Sequence, residues 1–213
     1  MREFVDRAVE METLQRHLLP TRQRRRRKVV VVNGLGGIGK TQLSVEFARR
    51  HRNRFSAVFW LDARNEDSVK RSVAAIASRI PQGQAPESCR AHTAESVEDV
   101  DAAVKEAMRW LSIPDNTSWL LIFDNVDQEY TDPQAISGAY DVRRFFPAAD
   151  HGSILITTRL SSLRQLGVSL RVGRVNEEQA AVIFRNGYGG EIQGKSCYQS
   201  NAILKGYFAD KTW

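Results

Sequence analysis

Val29-Val30-Val31-Val32-Asn33-Gly34-Leu35-Gly36-Gly37-Ile38-Gly39-Lys40-Thr41 is the stretch on which the reading of this chain turns. Four consecutive β-branched residues without polar alternation suit a strand buried on both faces. Residues 34–41 then satisfy G-x-x-x-x-G-K-[ST] at every position. Glycines let the backbone curl so that successive N–H groups point inward as an anion nest. A helix predicted over residues 40–52, with Leu43 and Phe47 inward, aims its positive end at the same spot. Lys40 supplies a point charge for β- and γ-phosphates, and the Thr41 hydroxyl is suited to Mg²⁺.

Working outward, strands alternate with helices. Ala57–Leu61 is a second apolar run closed by Asp62, and Asn65 caps a helix whose buried stripe is Val69, Val73, Ile76 and Ile80. Ser96 and Asp99 have capping-box spacing, and their helix carries Val100, Val104, Ala107 and Leu111. Trp119–Phe123 reads as a third strand ending at Asp124, Ser153–Ile156 as a fourth and Val168–Val172 as a fifth. Residues 127–147 read as irregular and polar around Phe145-Phe146. Asn176 starts a last helix with Ala180, Ile183 and Phe184 inward. Ahead of the first strand, residues 7–19 predict an amphipathic helix with Met11, Leu14 and Leu18 on one face. The pattern predicts an α/β fold, a three-layer P-loop NTPase with a mostly parallel five-stranded sheet and helices on both faces.

A carboxylate at the carboxyl end of a parallel strand faces the crevice where ligands bind. Asp124 is therefore the expected Mg²⁺ partner together with Thr41. The next residue, Asn125, can hydrogen-bond but cannot act as a base. Asp127, two residues on, could substitute. Arg159 closes the Ile154–Arg159 strand tip and has donors suited to a γ-phosphate, the alternative being a surface arginine.

The 213 residues carry a formal net charge of +6, from 31 Lys and Arg against 25 Asp and Glu. Six of the seven residues in Arg22–Lys28 are basic. That run reads as a solvated connector; the alternative is a nucleic-acid patch or import signal. Cys89 and Cys197 stand far apart, and the four histidines lack ligand spacing, so neither a disulfide framework nor a zinc site is predicted. No apolar run reaches the ~20 residues of a membrane helix, and the start is not a signal peptide. The expectation is a cytoplasmic protein without a membrane partner.

Several blocks together resemble the NB-ARC domain of the STAND class of signalling NTPases, the nucleotide switches of NOD-like receptors, in wording closest to the fungal type. Phe4-Val5-Asp6-Arg7 with Glu10 and Leu14 is similar to the family's N-terminal linker. Val58–Asp62 is similar to its second-strand motif, Leu121–Asp127 to its Walker B block, Ile154–Arg159 to its sensor strand, and Val175–Phe184 to the helix closing the core. The resemblance implies ADP or ATP with Mg²⁺ as ligands. Val5 and Arg7 would lie beside the base. Gly34, Gly36, Gly37, Ile38, Gly39, Lys40, Thr41 and Gln42 would hold phosphates. Thr41 and Asp124 would hold the metal. Lys40, Asp124, Asp127 and Arg159 are the candidate catalytic residues, with Arg159 reading the γ-phosphate.

The family's Gly-Leu-Pro-Leu-like motif is absent. The chain accordingly divides into a linker helix and basic connector (1–27), a nucleotide-binding domain (28–186) and an irregular tail (187–213), read as a truncated core. The expected function is a slow ADP/ATP switch of an innate-immunity or cell-death receptor, homo-oligomeric in full-length members. The alternatives are a small-molecule or nucleotide kinase, for which no arginine-rich lid follows residue 125, and a basic nucleic-acid-binding ATPase. The guanine-reading Asn-Lys-x-Asp string of GTPases does not occur.

Overall fold

In the computed structural model the described residues are 7–21, 26–81, 84, 97–128, 139–177 and 179–182. Helix α1 spans Ala8–Leu18 and strand β1 Lys28–Asn33; α2 is Lys40–His51, β2 Val58–Asp62 and α3 Glu66–Ala77. They are followed by α4 (Val97–Leu111), β3 (Leu120–Asp124), β4 (Ser153–Thr158) and β5 (Val168–Arg171). The sheet order is β2-β3-β4-β1-β5, and every pairing is parallel. The five carboxyl ends therefore open on one edge, which is where the glycine loop leaves β1.

Both faces of the sheet are packed. Val31, Leu121, Phe123, Ile154 and Ile156 join Val69, Val73 and Ile76 of α3 and Ala107 and Leu111 of α4 in one apolar cluster. Successive strand side chains point to opposite faces. Val30, Val32, Leu120, Ile122 and Leu155 are accordingly turned the other way, and they are as fully buried as Leu43 and Phe47 of α2. A strand buried on both sides needs this unbroken apolar composition, as the valine block announces.

Local chemistry sets the helix ends. The Asn65 side chain accepts from the Ser68 N–H at 2.8 Å, and Glu66 and Asp67 occupy the positive first turn of α3. Ser96 lies outside the described residues; the helix it was expected to cap runs from Val97, with Val100 and Val104 only half-buried. The fourth strand extends past Ile156, so Thr157 and Thr158 are strand residues and fully buried. Asn176 and Gln179 cap one another reciprocally, the Gln179 N–H reaching Asn176 Oδ1 at 2.8 Å and the Asn176 N–H reaching Gln179 Oε1 at 3.0 Å. Ile183 and Phe184 lie outside the described residues.

Residues Val9–Val172 form one compact unit, and the flanking residues form a second. Within the second, buried Arg7 donates to the Gly173 carbonyl at 3.1 Å. The described end of the basic run is tied into the first. Arg27 donates to the Pro147 carbonyl at 2.8 Å and lies over the Phe146 ring, and Lys28 Nζ reaches the Leu19 carbonyl at 2.6 Å. Arg22–Arg25 are outside the described residues.

Trp119 is completely buried, its indole N–H donating to the Leu111 carbonyl at 2.9 Å. Gly152, at φ 80, lies directly against that ring: a Cβ there would come within 2.3 Å of the indole. Gly152→Ala is expected to lose about 2–4 kcal/mol of stability, from overpacking and a left-handed backbone together, read as a lowered urea midpoint.

On α2, buried Glu46 accepts from Arg49 at 2.7 and 2.8 Å and from Arg50 at 2.6 Å. The Arg49 hydrogen bond, opposed by burial, is the main cause that holds its carboxyl down to about 2 from an ordinary 4.5. A carboxyl depressed in the folded state stabilises above its unfolded pKa, and that contribution is lost as pH falls toward the folded value. Glu46→Gln is therefore expected to cost about 1–2 kcal/mol at neutral pH. The gap to wild type should close between pH 4.5 and about 2 in parallel denaturant titrations.

Candidate nucleotide-binding site

Gly39 sits at φ 98 and ψ 17 immediately before α2, a left-handed conformation open to glycine at little cost. This turn sends the chain from the loop into the helix so that the first-turn N–H groups face the cavity. At the other end of the loop, a Cβ on Gly34 would approach the Val172 carbonyl to 2.7 Å, so the loop base is pressed against the end of β5. Ile38 packs beside Gly34 and, like it, does not line the cavity.

A cavity of about 680 Å³ opens over the loop. Gly36, Gly37, Gly39, Lys40, Thr41 and Gln42 line it from one side, and Asn125, Asp127, Gln128 and Arg159 from the strand ends. Arg64, from the β2–α3 connection, closes a third side and is held by Asp62 through bonds of 2.6 and 2.9 Å. A larger hollow of about 1170 Å³ lies at the other end of β1, among Arg16, Lys28 and Val168, and contains none of the loop residues.

Lys40 is 7% exposed, and its Nζ donates to the Gly34 carbonyl at 2.9 Å and the Leu35 carbonyl at 3.0 Å. Burial pushes the ammonium pKa down; Asp127 opposes that, Arg159 adds to it, and Asp124 opposes it. Thr41 Oγ1 donates to Asp124 Oδ1 at 2.9 Å. The same oxygen accepts from Thr157 Oγ1 at 2.6 Å, and Asn125 Nδ2 reaches Oδ2 at 3.2 Å. Asn125 adopts φ 66, a left-handed turn that asparagine tolerates, and aims its N–H at Thr157 Oγ1, 2.9 Å away. Thr158 Oγ1 donates to the Val126 carbonyl at 2.5 Å, locking the next residue of the same turn.

Among the described residues, Asp127 is engaged by Arg159 alone. Its Oδ1 accepts from the Arg159 main-chain N–H at 2.6 Å, and its Oδ2 accepts from Arg159 Nε at 2.7 Å. The guanidinium lies over the loop, with Cδ 3.7 Å and Nη1 4.0 Å from where a Cβ on Gly36 would stand. Lys40, Thr41, Gln42, Asp127 and Arg159 thus converge on one cavity, with Asp124 just beneath. Arg7 belongs to the flanking unit, and Val5 lies outside the described residues.

Two participants escape a linear reading. Arg64 looks like an ordinary polar residue after a strand, and the signal that could have found it is its place two positions beyond Asp62, which pairs in register with Asp124. Thr157 looks like a strand tip, but it is the hydroxyl that fixes both Asp124 and Asn125.

The donor set fits a hard cation. One hydroxyl and one carboxylate on adjacent elements are what Mg²⁺ takes from a protein when phosphates and water supply its remaining ligands. Among the described residues no cluster of three or more acidic, histidine or cysteine side chains forms a dedicated metal cage.

A parallel sheet that presents a glycine nest, a buried lysine and a threonine–aspartate pair at its carboxyl edge defines the P-loop NTPase class of nucleotide-binding domains. Within it, the chain belongs to the NB-ARC domain family, whose match covers residues 7–190. Over 166 residues, 74% of this chain, it is 28% identical to a nucleotide-binding leucine-rich repeat (NLR)-like protein of Hyaloscypha variabilis, of which those residues cover 16%. Among solved structures, the Orc1 protein of Aeropyrum pernix in complex with DNA superposes with a TM-score of 0.59 at 18% identity, over 89% of this chain and 51% of that one. A STAND protein with a tetratricopeptide repeat sensor from Pyrococcus horikoshii gives 0.47 at 20% identity, over 90% and 26%.

Thr157→Val keeps the strand shape and removes the hydroxyl. It leaves the half-buried Asn125 N–H without its acceptor and Asp124 without its shortest bond. A loss of about 1–3 kcal/mol is expected by denaturant unfolding. Wild-type stability in the variant would show that the hydroxyl bonds are dispensable.

Proposed function

We propose that this chain is the ADP/ATP-binding domain of a signal-transduction NTPase, working as a slow nucleotide-dependent switch in a receptor of the innate-immunity or programmed-cell-death type. Residues 28–186 would be the switch proper, residues 1–27 its linker helix and connector, and residues 187–213 a tail. The supporting observation is the Thr41–Asp124 contact at 2.9 Å, made across 83 positions of sequence, beneath a cavity lined by Lys40 and Arg159. Membership of the NB-ARC family and the likeness to an NLR-like protein support the signalling role.

In this reading Mg²⁺, when bound, would supply positive charge against the phosphates. The protein's own part is positional. The loop amides and the start of α2 surround the phosphates with N–H donors. Lys40 leaves the two loop carbonyls for the β- and γ-phosphates, trading one set of oxygen acceptors for another. Thr41 and Asp124 would hold the cation, and Arg159, which lines the same cavity, would meet a third phosphate.

Slow turnover follows from the acids. Among the described residues lining the cavity, Asp127 is the one carboxylate, and both its oxygens are occupied by Arg159. Asn125 cannot accept a proton from water. Hydrolysis below about 1 s⁻¹ is expected, at the bottom of the usual enzyme range. A cytoplasmic location and self-association in the ATP-bound form complete the proposal; among the described residues no helix is long and apolar enough to cross a membrane.

Titration calorimetry with ADP and with ATP, each with and without Mg²⁺, is the direct test. Wild type is expected to bind ADP at micromolar or lower concentration. Lys40→Ala should keep its thermal transition and lose binding by about 100-fold or more, the scale of a buried charge-assisted contact. Asp124→Ala should bind equally with and without Mg²⁺. Equal affinity of wild type and Lys40→Ala would end the proposal, and so would rapid ATP hydrolysis by the isolated chain.

A further inference from the structure

An acid in a cavity built for a polyanion needs a physical reason. Asp127 lines the same space as the glycine loop, where its charge would repel a phosphate. Its environment supplies one. The carboxylate is mostly buried, with 17% of its side chain exposed against 60% for Arg159. Oδ1 is pinned at 2.6 Å by the Arg159 main-chain N–H, a donor that belongs to the end of the β4 segment and cannot swing. Oδ2 then holds Nε of the same residue at 2.7 Å.

The choice of nitrogen matters. A carboxylate that paired with the outer fork of a guanidinium would use the groups best shaped for phosphate. Here only Nε is taken, and among the described residues neither Nη group has a protein acceptor. The side chain is directed across the loop, Nη1 lying 4.0 Å from the Cβ position of Gly36. An arginine otherwise free to rotate about its chain bonds is thereby held in one orientation before any ligand arrives, so the entropy of ordering it is lost on folding and not on binding.

We propose that Asp127 is a positioning residue that fixes Arg159 over the phosphate loop, so that the Nη edge engages a γ-phosphate and ATP gains on ADP. The inference rests on the nucleotide-switch reading above and adds to it the residue that sets triphosphate preference. Asp127 thereby acts as an anchor and not as the base that its spacing from Asp124 suggests.

The sign of the effect separates this role from plain electrostatics. Removing a negative charge beside a triphosphate strengthens ATP binding if charge alone matters; removing an anchor weakens it. The test is calorimetry on the full chain with Mg²⁺, using ADP and a non-hydrolysable ATP analogue. Wild type, Asp127→Asn, Asp127→Ala, Arg159→Ala and the double alanine variant are compared, with melting curves lacking nucleotide as fold controls.

The ATP-over-ADP preference is expected to fall about tenfold in Arg159→Ala and in Asp127→Ala, with no further fall in the double variant, as for two residues acting as one unit. Asp127→Asn keeps an acceptor for the main-chain N–H and loses the charge; its preference should fall about threefold, with ADP affinity within about twofold of wild type. Tighter ATP binding by Asp127→Asn overturns the proposal, as do additive losses in the double variant. If Arg159→Ala lowers the preference and neither Asp127 variant does, this inference alone fails. If Arg159→Ala leaves the preference unchanged, the reading of Arg159 as a γ-phosphate contact fails and takes the inference with it.

Discussion

The carboxylate of Asp124 is the point on which the site depends. It is 6% exposed at the end of a strand buried along its whole length, where an unpaired charge would be costly. Hydroxyls from α2 and β4 compensate it, at 2.9 Å from Thr41 and 2.6 Å from Thr157. Those two bonds join the helix after the glycine loop to two neighbouring strands, so the phosphate loop cannot shift independently of the sheet. The same arrangement gives the carboxylate an orientation suited to a cation.

Lys40 is buried, and its ammonium is satisfied by two main-chain carbonyls. Burial weakens its hold on the proton, and the carboxylates of Asp127 and Asp124 oppose that. The large apolar cluster around α3 and α4 supplies rigidity behind the site, and the second sheet face, packed near α2, supplies it in front.

Charge at the cavity mouth is arranged in pairs. Arg64 is held by Asp62, and Arg159 by Asp127. Each arginine is thus directed by an acid from its own strand end or the neighbouring one, and each remains largely exposed. Donors held this way are oriented but not desolvated, and exposed pairs of this kind contribute little to stability by themselves.

Much of this was legible in the residues alone. The valine run, the glycine spacing and the alternation of strand and helix patterns determine a parallel α/β sheet, because buried strands need continuous apolar composition and a phosphate nest needs glycines before a helix. Lys40, Thr41 and Asp124 were identifiable for the same reason: their chemistry is tied to fixed positions in a local motif. What remained hidden was every relation between distant segments. The strand order that sets β4 between β1 and β3, and with it the Thr157 bridge, arises from packing that no local pattern encodes. The pairing of Asp127 with Arg159 across 32 positions is of the same kind: only the folded chain brings these two strand ends side by side.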